Sequence, residues 1–479
     1  MALKFAQRPR YETIAAEQEI IFAIEETGSK VEDESKVKFV AKVNVGSDSS
    51  ALTEIGVFKT TPNAAEVGIF DFGTILKNYV SPDYTGMSDS LTTSQYKGTD
   101  YSMTDYHPIH VIDEFCLGHS STTWFQIDFA IEYLGANSNF PNLVAEHPSL
   151  GTSSDPYFLY NGVVYDTDPL DSSYSSNVYK FGYNLNKLGG YISNATTVGG
   201  ALSDAPKVQY ARLTDYGTLP YFSGLNGNTQ SFAAYQIEDV TVEMYGDSGL
   251  LGSFSFQPSS SNGGYNGSPS TTLSEADIMY IGCFPANFDG AGHTFWTANK
   301  AACTYYKVRP ETLSVPIGEF YTINIICDDA RGYEGVRLTW LNKQGTWDYY
   351  TFNKKSVRSV SSRRKTYTQL GGTWNESIYK LRGSSGGRKN FKVDSKEKIK
   401  VNTDYVSELD SVWFEQLMNS PEVFILNEYQ SDSGGVLRRY VQPVTITTSN
   451  YTRKTVANDR LIQYSFEVER TTNLRTQSV

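Results

Sequence analysis

Lys36-Val-Lys-Phe-Val-Ala-Lys-Val-Asn-Val45 alternates polar and apolar residues, with Val40 as the exception. A period of two is the pattern of a half-buried strand. The neighbouring stretches agree. Glu19-Ile-Ile-Phe-Ala-Ile-Glu25 is a short apolar run, as in a buried strand. His110–Cys116 and Trp124–Tyr133 read as two more strands. Phe70-Asp-Phe-Gly-Thr-Ile-Leu-Lys-Asn-Tyr-Val80 predicts a short helix, capped by Asp71 or Thr74, with Ile75, Leu76 and Tyr79 on one face. Residues 81–106 are a loop rich in Ser, Asp, Thr and Tyr. Together these predict a first sandwich-sized unit over residues 1–135.

The composition extends this reading to the whole chain. Of 479 residues, 39% are hydrophobic and only 20% charged, and 34 are tyrosine against 6 methionine. Aromatic and β-branched residues suit a pleated, half-buried surface. Long runs of helical period are absent, and a chain of this length exceeds one ordinary core. The expected fold is mainly β and multi-domain: β-sandwich-like units with long loops and a short C-terminal helix packed on a sheet.

A loop-rich β domain is expected over 136–310. Residues 135–205 and 257–272 are its polar loops, and Lys207–Asp215, Tyr235–Tyr245, Ile278–Cys283 and Thr304–Val308 its strands. A third domain, 311–479, opens with Phe320–Cys327 and Gly335–Asn342. Asn342-Lys-Gln-Gly345 is a turn and Thr346–Phe352 returns, which predicts a hairpin. The stretch Lys354–Lys400, broken by Gly383-Ser-Ser-Gly-Gly387, reads as one or two projecting basic hairpins. Residues 403–419 predict a helix capped by Thr403 or by Ser407 with Asp410, burying Leu409, Val412, Trp413, Gln416 and Leu417. Pro421 stops it, and the strands Glu422–Asn427 and Arg460–Glu469 follow.

Charge is distributed unevenly. Residues 346–400 carry fourteen Lys/Arg against four Asp/Glu, a local +10; the first 345 residues hold −19. A basic segment on a molecule with a large acidic body suits head-to-tail contact between copies or partners. The residues expected at such an assembly interface are Lys354, Lys355, Arg358, Arg363, Arg364, Lys365 and Trp413. A solvated pair of charged strands is the simpler alternative. Nucleic acid is a weaker reading. Phe352, Tyr367, Trp374, Tyr379 and Phe391 interleave with the bases, yet the whole chain is acidic, with a sequence pI near 5.1.

Active-site motifs are scarce. There is no Walker loop, GxGxxG or HExxH. Gly383–Gly387 matches GxSxG around Ser385, but its flanks are basic and polar and the last histidine is His293. His107, His110, Cys116 and His119 have donors that suit zinc. A strand there would send alternate residues to opposite faces, so ordinary strand residues are the expectation and no metal is assigned. Asp166-Thr-Asp begins a calcium-loop pattern that Pro169, Asp171 and Asn177 break. No carboxylate pair stands out among 53 acidic residues. Tyr157, Tyr160, Tyr174, Tyr179, Tyr183 and Tyr191 are candidate sugar platforms, or generic sheet and loop residues. No cofactor is expected. The N-terminus lacks an apolar leader, no run is long enough to insert in a membrane, and four scattered cysteines point to free thiols made in a reducing cytosol.

Several phrases resemble a known family. Asp71–Ser81, Ala205-Pro-Lys-Val-Gln-Tyr210 with Asp215-Tyr-Gly-Thr-Leu219, and Arg337-Leu-Thr-Trp-Leu-Asn342 with Asp348-Tyr-Tyr350 resemble segments of structural proteins of tailed bacteriophages infecting Bacteroidetes and marine bacteria, including crAss-like phages. Ser420-Pro-Glu-Val423, Pro443-Val and Arg453-Lys-Thr with Asn458-Asp-Arg-Leu461 resemble the endings of tail-tip and baseplate proteins. The resemblance implies a non-enzymatic virion component, made in the host bacterial cytoplasm and assembled in many copies with other tail proteins. It carries over no active residue. The alternative expectation is a glycan-binding or glycan-degrading phage protein that uses the loops on host surface sugar.

Overall fold

The computed structural model describes residues 2–9, 13–47, 49–82, 115–117, 120–134, 144–165, 191–192, 198–226, 229–230, 237–256, 277–312, 315–326, 333–381, 383–426, 441–455, 461–471 and 475–478. The fold is mainly β, and it divides into two compact units. Unit 1 is Met1–Ile326 with Leu341–Asp348; unit 2 is Cys327–Trp340 with Tyr349–Val479.

Unit 1 begins with two facing sheets. One is three-stranded, in the order Leu3–Gln7, Ile21–Glu26, Val67–Asp71. The other runs Thr13–Glu17, Tyr157–Val163, Thr122–Leu134, Ser35–Gly46, Thr53–Thr60, with Val144–Ser153 also on Thr122–Leu134. The opening decapeptide lies in Ser35–Gly46. Its odd-numbered apolar residues Phe39, Ala41 and Val43 are buried with Phe22 and Ile24 of the first sheet and Phe129 and Ile131 of the second. The Phe129 ring meets Phe22 at 5.7 Å and Phe70 at 5.8 Å, in the range where tilted aromatic pairs add to area burial. The short helix occurs as Gly73–Leu76 followed by a 3-10 turn, Lys77–Tyr79. Asp71 positions it, its Oδ1 accepting from the Gly73 and Ile20 amides at 3.0 and 3.1 Å.

The expected boundary near 135 falls inside this second sheet. Val144–Ser153 and Tyr157–Val163, read from sequence as loop, are two of its strands. Tyr157–Val163 is buried because it lies between two neighbours, parallel to Thr13–Glu17 and antiparallel to Thr122–Leu134. Short apolar runs such as Tyr157-Phe-Leu-Tyr160 carry no periodicity, which is why the strand escaped the pattern. The expected boundary near 310 falls inside the strand Tyr305–Thr312, the middle of a six-stranded sheet in the order Val208–Ala211, Tyr321–Ile325, Tyr305–Thr312, Asp239–Gly246, Gly249–Phe256, with Val315–Pro316 also on Tyr305–Thr312.

Two tyrosines in this region carry a consequence for alkaline stability. Burial pushes the Tyr221 phenol well up, with the nearby Tyr321 phenol adding to the shift. Tyr321 is also raised by burial, although the hydrogen bond from the Ala201 amide at 3.2 Å opposes it. An unfolded tyrosine ionises near pH 10. Above that pH the unfolded chain therefore binds fewer protons than the folded one, and stability falls as pH rises. Urea titrations at pH 8 to 11 are expected to show a shallower loss for Tyr221→Phe than for the wild type. Equal slopes would refute the assignment.

Unit 2 is built on an eight-stranded sheet: Trp347–Phe352, Val336–Leu341, Val423–Leu426, Val441–Ile446, Ser465–Arg470, Gly387–Asn402, Val357–Gln369, with Arg475–Ser478 also on Gly387–Asn402. The expected hairpin of Val336–Leu341 and Trp347–Phe352 is present. The helix packs within this unit but starts later than the sequence indicates, at Asp410, and ends at Asn419. Thr403 is not a cap: its hydroxyl accepts from the Tyr464 amide at 2.9 Å. Ser407 and Asp410 form the reciprocal pair of a capping box, Ser407 N to Asp410 Oδ2 at 2.8 Å and Asp410 N to Ser407 Oγ at 3.3 Å.

The buried face is also rotated. Ser411, Trp413, Phe414, Gln416 and Leu417 are buried, while Leu409 and Val412 are exposed. The first turn is tight, with the Ser411 and Val412 amides bonding three residues back to Glu408 and Leu409. This winding differs from the 3.6-residue repeat used to assign the face. Trp413 packs on Trp340 at 5.1 Å and Tyr350 at 5.9 Å. It is a core residue of the protomer, which corrects its assignment to the assembly interface.

Candidate assembly interface

The basic segment folds as one long antiparallel arm. Val357–Gln369 pairs with Gly387–Asn402 from Val357 opposite Lys400 to Gln369 opposite Gly387. Val357–Gln369 is an edge strand of the eight-stranded sheet, and its first twelve residues are all exposed. The register shifts between Lys365 and Thr366, where Phe391 is the extra residue of a bulge.

The base and the outer part of the arm differ. At the base, the inner strand is stitched to Ser465–Arg470 by Lys398 to Glu467 at 2.7 Å and Lys396 to Glu469 at 2.5 Å. The Lys398 ammonium, and after it the Thr447 hydroxyl, hold the Glu467 carboxyl below its usual range. These pairs lie at the surface, partly exposed, and contribute little individually. Lys354 is bound to Asp404 at 2.8 Å, and Arg358 to Glu334 and Glu397. The Lys355 carbonyl accepts from Asn402. Lys354 and Arg358 are thus anchored in the base by their side chains, and Lys355 by its carbonyl alone.

Arg363, Arg364 and Lys365 lie further out on the exposed edge strand, and among the described residues they form no ion pair. Lys365 stands directly opposite Lys392. Like charges facing each other across a ladder destabilise it. Basic residues on an edge strand also deter edge-to-edge pairing, and Arg363, Arg364 and Lys365 occupy such positions.

Beyond the reach of the flanking strands the arm is two-stranded and ends in an ordered apolar tip. Thr373 closes it: its hydroxyl donates to the Ile378 carbonyl at 3.0 Å and accepts from the Lys380 amide at 2.8 Å. Trp374 Nε1 donates to the Gly371 carbonyl at 2.7 Å, and the Trp374 and Tyr379 rings lie 5.2 Å apart. Gly372 has φ +87°, and a Cβ there would lie 2.2 Å from the Tyr379 ring. The tip exposes Leu370, Trp374, Ile378, Tyr379 and Leu381, from 54% for Tyr379 to 78% for Leu381. Contiguous exposed apolar side chains on an ordered loop are uncommon on monomeric soluble proteins. The sequence signal was available: apolar residues stand where a strand-connecting turn calls for polar ones.

The other candidates fare differently. His107, His110 and His119 lie outside the described residues, as does the Asp166 segment. Cys116 lies in the strand Phe115–Leu117, and its side chain is also outside them. Among the described residues no group of three or more His, Cys, Asp or Glu side chains is placed to hold a metal ion. Ser385 sits in the glycine-rich turn entering the inner strand of the arm, before Gly386 and Gly387, both at positive φ. Tyr157, Tyr160 and Tyr191 are buried at 2%, 1% and 5% and offer no ring to a sugar. Tyr174, Tyr179 and Tyr183 lie outside the described residues. Phe352 is fully buried, so of the aromatics interleaved with the bases only Tyr367, Trp374, Tyr379 and Phe391 are exposed. No described helix is long and apolar enough to cross a membrane.

Comparison with protein-family models and with curated proteins finds no match to this chain.

Proposed function

We propose that the chain is a non-enzymatic structural subunit that assembles in multiple copies, as a tail, baseplate or fibre-adaptor component of a tailed phage virion. The observation that carries the assembly part is the arm. A long exposed β-ribbon with unpaired basic residues and an apolar end is costly for an isolated chain, since two-stranded ribbons are marginal in water. It becomes favourable when a partner covers it. The virion setting is supported by the resemblance of several short segments to tailed-phage structural proteins.

Two experiments test the two parts. Mass spectrometry of purified particles is expected to find peptides of this chain at many copies per virion; recovery only from particle-free lysate would refute the virion setting. For assembly, Arg363→Glu, Arg364→Glu and Lys365→Glu combined reverse the three free charges. The triple variant is expected to sediment as a folded monomer with an unchanged near-ultraviolet circular dichroism spectrum. Normal assembly would exclude this part of the arm from the contact.

A further inference from the structure

We propose that the apolar tip of the arm docks on the helix start of a second copy, so that identical chains join head to tail. The inference rests on the multi-copy part of the function above and is independent of the virion setting.

The receiving surface is the one that the rotated helix leaves open. Leu409 is 84% exposed, Val412 41% and Leu461 64%. Leu409 and Val412 share one side of the first helical turn, where the Val412 amide bonds the Leu409 carbonyl at 3.2 Å. The antiparallel bridge between Val406 and Ile462 brings Leu461 alongside Ser407, two residues before Leu409. Together these three exposed side chains offer an apolar patch that is uncovered among the described residues.

The charges around the two surfaces are complementary. Asp404, Glu408 and Asp410 stand at the helix start, within a stretch, residues 401–426, that contains no Lys or Arg. Asp404 is partly offset by Lys354 at 2.8 Å, an exposed pair, and Lys454 lies near Leu461, its Nζ donating to the Gln463 carbonyl at 3.2 Å; the helix start remains the more acidic side. The tip, in contrast, is flanked by Lys380, Arg388 and Lys389, and residues 354–400 hold fourteen bases against three acids. An apolar centre with a basic rim on one side and an acidic rim on the other is the arrangement of a specific interface.

Geometry makes the partner another copy. The patch lies next to the base of the arm: Asn402 ends the inner strand, and Asp404 pairs with Lys354. The tip lies at the far end of a ladder of about thirteen residues, roughly 40 Å away at the strand rise. The continuous pairing of the two strands prevents the tip from folding back. Complementary surfaces at opposite ends of one ribbon can meet only between molecules. Such a contact is heterologous, and it closes into a ring or continues as a filament depending on the rotation between copies.

The tip is also preorganised. Gly372 beneath the Tyr379 ring, the Trp374 bond to Gly371 and the Thr373 clasp hold the aromatic pair in place before binding. Less ordering entropy then opposes association.

The test uses the full chain and two double variants. The tip variant carries Trp374→Ser and Leu381→Ser; the patch variant carries Leu409→Ser and Val412→Ser. All four positions are exposed, so folding is expected to be nearly unchanged, and circular dichroism checks this. By sedimentation velocity each variant alone is expected to associate at least about thirtyfold more weakly than the wild type, as the loss of a central anchor does. An equimolar mixture is expected to recover a dimer, since one partner retains a tip and the other a patch, and to stop there. If both variants assemble like the wild type, the docking proposal fails while the assembly reading stands. If the mixture does not recover, the tip meets some other surface, such as another tip, and the proposal fails. If the tip variant assembles normally but no longer floats with vesicles of anionic lipid, the tip belongs to a lipid surface and the proposal fails. A wild-type chain that stays monomeric at every concentration overturns both the docking and the assembly reading.

Discussion

Gly345→Ala is expected to destabilise unit 1 by about 3–5 kcal/mol, the sum of a left-handed backbone strain of roughly 1–2 kcal/mol and a steric clash of similar or larger size. Gly345 has φ +74°, and a Cβ built there would lie 1.7 Å from the Asn161 carbonyl oxygen. Neither side can retreat cheaply. The turn is fastened by Asn342, whose Oδ1 accepts from the Gln344 and Thr346 amides at 2.9 and 3.1 Å. Its Nδ2 donates to the Leu202 carbonyl at 3.0 Å. On the other side, the Asn161 amide donates to Ser121 at 2.8 Å and belongs to the buried strand Tyr157–Val163. Gly249→Ala is the control: it has φ +113° but nothing within 4 Å, so only the backbone contribution applies. Hydrogen exchange in peptides covering Tyr157–Val163, followed against urea, measures both. A Gly345 variant no less stable than the Gly249 variant would show that the close approach carries no energetic weight.

Trp413→Ala is expected to cost unit 2 about 3–5 kcal/mol, the range for removing a buried indole. Trp413 is 2% exposed and touches Trp340, Tyr350 and Phe414, with ring centroids 5.0–5.9 Å away. Truncation leaves a cavity that those rings cannot all fill. Trp374→Ala, at a site 71% exposed on the arm tip, is expected to change stability by less than about 0.5 kcal/mol. Its effect falls on association instead. Denaturant unfolding of both variants, read by exchange in Val441–Ile446, separates the two tryptophans. Equal losses of stability would contradict the structural assignment.

Much of the fold was legible in local pattern. The alternation of Lys36–Val45, the turn at Asn342–Gly345 and the Ser407/Asp410 cap are all properties of a few adjacent residues. The arm was legible as a basic stretch interrupted by glycines. Tyr157–Val163 was not, because a buried central strand has no polar alternate to mark it. The candidate site was half legible: the charge of the arm stood out, but its tip looked like aromatic residues scattered among bases. Arg358 and Arg363 are indistinguishable in sequence. Only the proximity of Glu334 and Glu397 shows that one is anchored and the other free.

The sequence by itself determined the β class, the separation of a basic segment from an acidic body, the position of the main hairpin and the presence of a C-terminal helix with its end before Pro421. These follow from side-chain periodicity, composition and turn chemistry, which act over a few bonds. The tertiary structure decided which surfaces those elements present. It turned Trp413 inward and Leu409 outward, buried three tyrosines that could have faced a ligand, and placed the apolar tip and the apolar helix start at opposite ends of one ribbon. Burial depends on neighbours that are distant in the chain. A period can predict that a face will be covered, but the element that covers it is chosen by packing.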